Sequence, residues 1–574
     1  MHFQSREVSF IKTIAILVLF AISPYILTAC SNEAEPPKEQ YKAENVIAEV
    51  IEENNKLEDD KRLYERDVDR SIKSLYITVL PNDSSKGNSV SWYNLNRITN
   101  RYSEEYVKII ISEGTEDGAG PKPEMFGYGA EAANAKISLR GNTARYATQK
   151  SYKIKLFEDT DLWQNQQTIN LNKHSYDTSR LGNKLSFDLL EKIPDITSLR
   201  TQFVHLYVKD LTVETPQTSY EDYGLYTHVE QPNKMFLKSH WLDPDGYLYK
   251  VNFFEFQRYR NHIKSVSDPT YDKEQFEMYL EIKGREDHDK LITMIEDVNN
   301  MQIPIGEVME KHFDLDNFLT WTAINILMDN MDTNANNFYL YSPLNSEKWY
   351  LLPWDYDGAW QLERVEETIR PYQAGISNYW GSMLHNRYFR TEEHTQLLTD
   401  KVKEMSVYVN AQTVENQLNE YADIVQEFLI RAPDKEYIKD SNIHFETELQ
   451  RIIATPEQSV QRYLEDLEKP KPFYMNDVED DGKNLTFSWQ ISYDLQGNDL
   501  YYDITVAKDP LLTQVIGRQE NLLGNEFQIK KPEDGNYYWK VIVRDSDGNE
   551  QTSFDMYMDV EENFYFGIRQ FEVN

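Results

Sequence analysis

The chain has 574 residues, with 96 Asp and Glu against 60 Lys and Arg and a formal net charge of −36. Charge of that sign repels nucleic-acid backbones and anionic lipid headgroups, so nucleic acid is excluded as a general partner, although a local basic groove inside an acidic shell is not. With 40% hydrophobic and 13% aromatic residues, the chain can offset its ordering entropy by burial, which excludes global disorder and leaves room for more than one domain.

Arg6 and Lys12 precede an apolar run from Ile14 to Leu27 that ends in Leu27-Thr28-Ala29-Cys30. A charged start, an apolar stretch and small residues before a cut form the pattern of a secretory signal. The Leu-Thr-Ala-Cys ending resembles a bacterial lipobox, which implies a diacylglyceryl group on Cys30 as the new N-terminus. Residues 1–30 are therefore predicted to be a lipoprotein signal peptide, and the protein to be extracytoplasmic and lipid-anchored to a bacterial cell membrane. Pro24 breaks the apolar run and no stop-transfer pattern follows, which argues against a membrane-spanning helix there. Cys30 is the single cysteine of the chain, so an intramolecular disulfide and a Cys-based metal site are both excluded. Residues 31–72 carry Pro36-Pro37 and then a run rich in Glu, Lys, Asp and Arg, which predicts a solvated tether.

A main domain is predicted over 73–468. Strand alternation marks Ser74–Leu80, Val107–Ile111, Ala135–Leu139 and Lys150–Leu156. In the last of these Tyr152, Ile154 and Leu156 share one face, while Lys153 and Lys155 share the other. A helix around Leu185–Ile193 separates them from strands at Gln202–Val208 and Gly224–Glu230, so the first part of the domain is sheet-rich. From Leu315 the period becomes helical, with Asp314 as N-cap and Leu315, Phe318, Leu319, Thr322 and Ile326 on one stripe. The helix leads into the Asp/Asn-rich loop Met328–Asn337. A hairpin follows, Phe338–Tyr341 and Trp349–Leu352, closing in Pro353-Trp354-Asp355-Tyr356-Asp357-Gly358. Residues 380–468 show helical spacing. Lys469-Pro470-Lys471-Pro472 predicts a stiff, exposed linker. Beyond it, short strands such as Leu485–Trp489, Tyr501–Val506 and Asn536–Asp545 predict a β-sandwich over 473–574, which resembles a fibronectin type III-like or immunoglobulin-like module.

The acidic loops suit phosphoryl transfer, which needs a carboxylate at the acceptor hydroxyl, oxygen ligands for a divalent cation, and a cation on the nucleotide phosphates. Asp332 and Asn337 have the Asp-x-x-x-x-Asn spacing of a catalytic loop, Asp355 stands where a metal-binding carboxylate would follow, and Lys153 or Lys155 is the strand lysine. Their shared strand face does not choose between the two lysines. A calcium loop starting at Asp332 is disfavoured, because Asn337 stands where glycine is needed and Pro343 where glutamate is needed.

Five motifs in order are similar to the CotH kinase family: Arg140-Gly141-Asn142 with Lys150–Lys155, Tyr223-Gly224-Leu225-Tyr226 with Glu230, Asp332, Asn337–Tyr341, and Pro353–Asp357. The resemblance covers roughly residues 70–465. It implies an α+β, atypical protein-kinase-like two-lobed domain ahead of the sandwich. It also implies ATP with Mg or Mn, and phosphorylation of Ser or Thr on exported or spore-coat proteins. Carried over, Asp332 is the catalytic carboxylate, and Asn337, Asp355 and Asp357 are metal ligands. Lys153 or Lys155, Arg140 and Glu230 line the nucleotide site, Glu230 in an ion-pairing role. Two departures stand out: Asn336 replaces the histidine often found before the loop Asn, and no glycine-rich loop precedes the strand lysine. The competing expectation is a non-catalytic surface protein that uses the same fold and the sandwich to bind polymer or partner proteins. Nothing in the sequence sets an oligomeric state.

Overall fold

Seven strands from the first part of the chain close into a barrel in the order β1-β2-β3-β4-β5-β7-β6. They are β1 (Ile72–Val79), β2 (Val107–Glu113), β3 (Ala135–Leu139), β4 (Tyr152–Leu156), β5 (Thr168–Asn172), β6 (Thr201–Asp210) and β7 (Glu221–Val229). The structure is a computed structural model that describes residues 57–574 apart from 58, 82–89, 214, 216, 361–368 and 438–440. The predicted signal peptide, Cys30 and most of the predicted tether lie outside the described residues. Strand alternation fills the barrel: Ala135, Ile137 and Leu139 from β3 and Tyr152, Ile154 and Leu156 from β4 are buried, together with Leu75, Ile77, Ile109, Ile169 and Leu206. Closure depends on a parallel β1–β6 ladder, with Leu75 opposite Leu206 and Ile77 opposite Val208.

A second, four-stranded sheet follows in the order β11-β10-β8-β9, built from β8 (Tyr247–Val251), β9 (Leu280–Ile282), β10 (Phe338–Ser342) and β11 (Tyr350–Pro353). The predicted hairpin is β10–β11. The Leu315–Leu327 helix packs beneath it, with the Asp314 carboxylate accepting from the Asn317 N–H at 2.7 Å. The single predicted stripe is not what the helix presents. Every residue from Asn317 to Leu327 is buried while Leu315 is 39% exposed, so this is a central core helix enclosed on all sides. Glu392–Met405 and Ser441–Leu467 pack against it, and Ala411–Asn419 and Ala422–Leu429 pack in turn against Ser441–Leu467. The result is a mixed α+β arrangement.

Two sequence expectations are corrected here. Residues 59–70 are not a free spacer: Leu63 and Tyr64 are buried, the Tyr64 hydroxyl donates to Asp59 at 2.6 Å and accepts from the Ser198 N–H at 2.9 Å. Lys469–Pro472 is not an exposed linker: Lys471 is fully buried beside Asp466 at 3.7 Å, and its N–H donates to the Tyr493 carbonyl at 2.7 Å. That docking removes the solvent the linker would need. Beyond it, a three-stranded and a five-stranded antiparallel sheet share a core of Phe487, Trp489, Tyr502, Trp539 and Val541.

Candidate active site

The β10–β11 ladder sets Phe338 opposite Pro353, so Asn337 and Trp354 lie at one end of the hairpin with Asp355 a single residue beyond. Both polar positions carry left-handed backbone, φ 58° at Asn337 and φ 58° at Asp355. Asn and Asp tolerate that conformation best, and such residues gather at functional sites. The Asn337 side-chain amide donates to the Asp332 carboxylate at 2.6 Å, which ties the two ends of the loop together. Asn336, the departure from the family pattern, has a task of its own: its side-chain oxygen accepts from the Phe253 N–H at 2.6 Å, next to the Phe254 N–H donating to the Ala335 carbonyl at 2.8 Å. The loop is thereby pinned to the exit of β8. Trp360 closes the other side, donating its indole N–H to Gly182 O at 3.0 Å and to Ser186 Oγ at 2.9 Å.

The barrel supplies cations to this hairpin end. Arg140, at the end of β3, donates to the Asn172 side chain and lies 5.6 Å from the Trp354 ring. Burial lowers its pKa, and the neighbouring Asp355 and Asp357 carboxylates act in the opposite sense. Strand β4 distinguishes the two lysines that periodicity left equal. Lys155 is exposed, whereas Lys153 is partly buried, and burial plus repulsion from Lys283 and Arg140 pushes it down to about 8. Lys153 faces the second sheet; Lys155 faces solvent.

That second sheet contributes residues the sequence expectations missed. Lys250 on β8 stands opposite Tyr339 of β10 and Glu281 of β9, and burial lowers its pKa against the pull of Glu281 and Asp355. Glu281 forms an ion pair with Lys283, and although burial raises its pKa, Lys283, Lys250 and Lys153 outweigh that and lower it. His174 also sits here. Burial drives it down to about 4, so the ring is neutral at physiological pH, beside Asp177, Arg180, Asp355 and Arg140. Its Nε2 has no hydrogen-bond partner. A lone lysine in the apolar run Tyr247-Leu248-Tyr249-Lys250-Val251 was the signal available, since a charge in a buried strand needs a reason.

Glu230 is not brought into this group. It is buried in a separate network, accepting from the Arg200 N–H at 3.2 Å and bonded to His240 at 3.0 Å, with Asp59 on the far side of the ring at 2.6 Å. Burial opposes charge on His240, but Glu230 and Asp59 prevail and raise it to about 9. The carboxylate facing Lys153 is Glu281. The Tyr-Gly-Leu-Tyr motif acts at a distance too: the buried Asp434 carboxylate accepts from the Leu225 N–H at 2.9 Å and pairs with Lys173 at 2.7 Å. A Cβ at Gly224, where φ is +76° on the left-handed side, would stand 2.1 Å from Asp434 Oδ2.

As to a metal, no group of three or more His, Cys, Asp and Glu side chains among the described residues is arranged to hold one. The donor set at the hairpin end is of the mixed amide–carboxylate kind, Asn337 with Asp355 and Asp357. Hard oxygen donors of that kind fit Mg or Mn bound jointly with phosphate oxygens, and do not fit an all-protein cage. The cations fit a polyphosphate: four of them, Arg140, Lys153, Lys250 and Lys283, influence one another electrostatically in a protein that is strongly acidic overall.

Arg140 of the barrel and Lys250 of the helix-backed sheet thus lie near the hairpin end that bears Asp355, with Lys153 and Lys283 close to Arg140 and Lys250. The family model for CotH kinase protein matches residues 137–463, more than half of the chain, and the chain belongs to that family. Inner spore coat protein H of Bacillus subtilis (strain 168) is 24% identical over 246 residues, which is 42% of this chain and 62% of that relative's length. Among solved structures, the proinflammatory kinase CtkA of Helicobacter pylori aligns at 10% identity over 55% of this chain and 94% of its own, with a TM-score of 0.25. HipA, from the HipA–HipB–operator DNA complex of Shewanella oneidensis MR-1, aligns at 10% identity over 58% and 67%, with a TM-score of 0.23. Superpositions that loose do not define a fold, which rests here on the strand order itself. No helix among the described residues is long and apolar enough to cross a membrane.

Proposed function

We propose that the protein is an ATP-dependent phosphotransferase, an atypical protein kinase that modifies Ser or Thr on exported or coat proteins. The observation that supports this is the approach of Arg140, from the barrel and with Lys153 nearby, to the end of the β10–β11 hairpin that bears Asp355 and Asp357 beside the Asp332–Asn337 pair. Arg140 and Lys153 would contact the phosphates of ATP. Asn337, Asp355 and Asp357 would hold Mg or Mn, whose chemistry when bound is to neutralise phosphate charge. The acceptor hydroxyl oxygen attacks the γ-phosphorus, the bond to the β–γ bridging oxygen breaks to release ADP, and Asp332 takes the hydroxyl proton. Asn337 orients Asp332 through the 2.6 Å amide bond. Neutral His174 adds no positive charge beside Asp355.

The coat-protein name of the Bacillus relative supports an exported acceptor, and the lipobox-like ending at Cys30 supports a membrane-tethered, extracytoplasmic location. The terminal pair of sheets, of fibronectin or immunoglobulin type in this proposal, would space or bind rather than catalyse. The test is transfer of labelled phosphate from ATP to a casein-like acceptor by the wild type and Asp332→Ala. Loss of a general base predicts a fall of about 10²–10⁴-fold; equal labelling would remove Asp332 from the mechanism.

A further inference from the structure

The cations of the barrel and the second sheet are not equally accounted for by the protein itself. Lys283 has Glu281, and Arg140 has Asn172 with Asp355 and Asp357 nearby. Lys250 has no carboxylate within ion-pair distance among the described residues; Glu281 and Asp355 act on it only from farther off. It lies instead 6.0 Å from the face of Trp354, the ring that Arg140 approaches at 5.6 Å. Two cations from two different sheets therefore converge on one indole, directly before Asp355 in the chain. A partly buried ammonium without a carboxylate is costly, and converging like charges raise that cost. Cation–π attraction, worth about 0.5–2 kcal/mol, offsets only part of it. An anion between the two sheets would offset the rest.

We propose that Lys250 is a phosphate-binding residue, so that a polyphosphate is gripped between Arg140 and Lys153 of the barrel and Lys250 of the second sheet. Nothing in the sequence motifs assigns it that role. The register explains how the side chain is held: Lys250 sits across from Glu281 on one side and Tyr339 on the other, and the Tyr339 hydroxyl accepts from Gln231 at 3.1 Å while its ring meets Trp354 edge-on at 5.4 Å. Glu281 is then a positioning residue, placed among three lysines so that none collapses onto Asp355. It takes the place that Glu230, engaged with His240, does not fill. A ligand that touches both sheets also couples them, so occupancy should stiffen the barrel against the hairpin.

This inference rests on the phosphotransferase reading for the identity of its ligand but is testable without it. Equilibrium binding of ATP, AMP and inorganic tripolyphosphate, each with Mn, would be measured for the wild type, Lys250→Gln and Lys250→Arg, after checking that all three unfold at the same temperature without ligand. The expected result is about a ten- to hundredfold loss of ATP and tripolyphosphate affinity in Lys250→Gln, the scale of one charge-assisted contact. AMP should lose several-fold less, and Lys250→Arg should recover most of the binding. Unchanged ATP and tripolyphosphate affinity in Lys250→Gln, or an equal loss for ATP and AMP, would overturn the assignment. If the wild type bound tripolyphosphate but not ATP, the kinase proposal would fall while a Lys250-dependent loss of tripolyphosphate would still uphold the subsite.

Discussion

The pH dependence of nucleotide binding should be set by Lys153. Burial and the positive charges of Lys283 and Arg140 bring this side chain down to about 8 from the ordinary lysine value of 10.5. A phosphate partner favours the protonated form, so binding is strongest while Lys153 is charged and weakens as pH rises through 8. From pH 7 to pH 9 the charged fraction falls from about nine-tenths to about one-tenth, which predicts roughly a tenfold loss of affinity, or about 1.4 kcal/mol. Calorimetric titration with an ATP analogue that is not hydrolysed, at fixed Mn and ionic strength, measures this directly. Lys153→Arg keeps its charge throughout that range and should flatten the profile, whereas Lys155→Arg, on the exposed side of β4, should leave it unaltered. An affinity that is level between pH 7 and 9 in the wild type, or a slope that survives in Lys153→Arg, would show that Lys153 does not meet phosphate.

Other outcomes follow from the buried charge networks. Asp434→Ala leaves Lys173 buried without its carboxylate and should destabilise the protein by about 3–5 kcal/mol in urea titration. Gly224→Ala forces a side chain into the same carboxylate, so the two changes share a cause and the double variant should lose clearly less than the sum; strict additivity would contradict the 2.1 Å approach. His240, raised to about 9 between Glu230 and Asp59, contributes stability that is complete below its unfolded value near 6.5 and is lost as pH rises through 9. The contribution is at most about 3 kcal/mol. Urea midpoints at pH 7 and pH 10 should therefore separate more for the wild type than for His240→Gln, and equal separations would exclude the network as a source of stability.

Local chemistry made much of this molecule readable from the chain. The Asp314-capped helix, the β10–β11 hairpin and the inward face of Tyr152, Ile154 and Leu156 all follow from short-range periodicity and capping, which the fold retains. What depends on distant pairing was not readable. Barrel closure needs β1 beside β6 and β5 beside β7, contacts that no local pattern encodes. The choice between Lys153 and Lys155 depends on Lys283 and Glu281, delivered by a strand of the other sheet. Lys471 resembles a linker charge until Asp466 and the Tyr493 carbonyl are placed around it. Glu230 lies in a strand motif that suggests a cleft residue, yet His240 and Arg200 claim it. Lys250 lies in a five-residue strand too short for local periodicity to mark clearly, although its charge among aromatic neighbours is visible in the chain.

The most direct measurement is a crystal structure with Mn and a non-hydrolysable ATP analogue. Anomalous signal should place the metal at Asn337 and Asp355, with phosphates against Arg140, Lys153 and Lys250 and the acceptor side open at Asp332. Nucleotide bound elsewhere, or a metal remote from the end of the hairpin in a crystal saturated with both, would contradict the account.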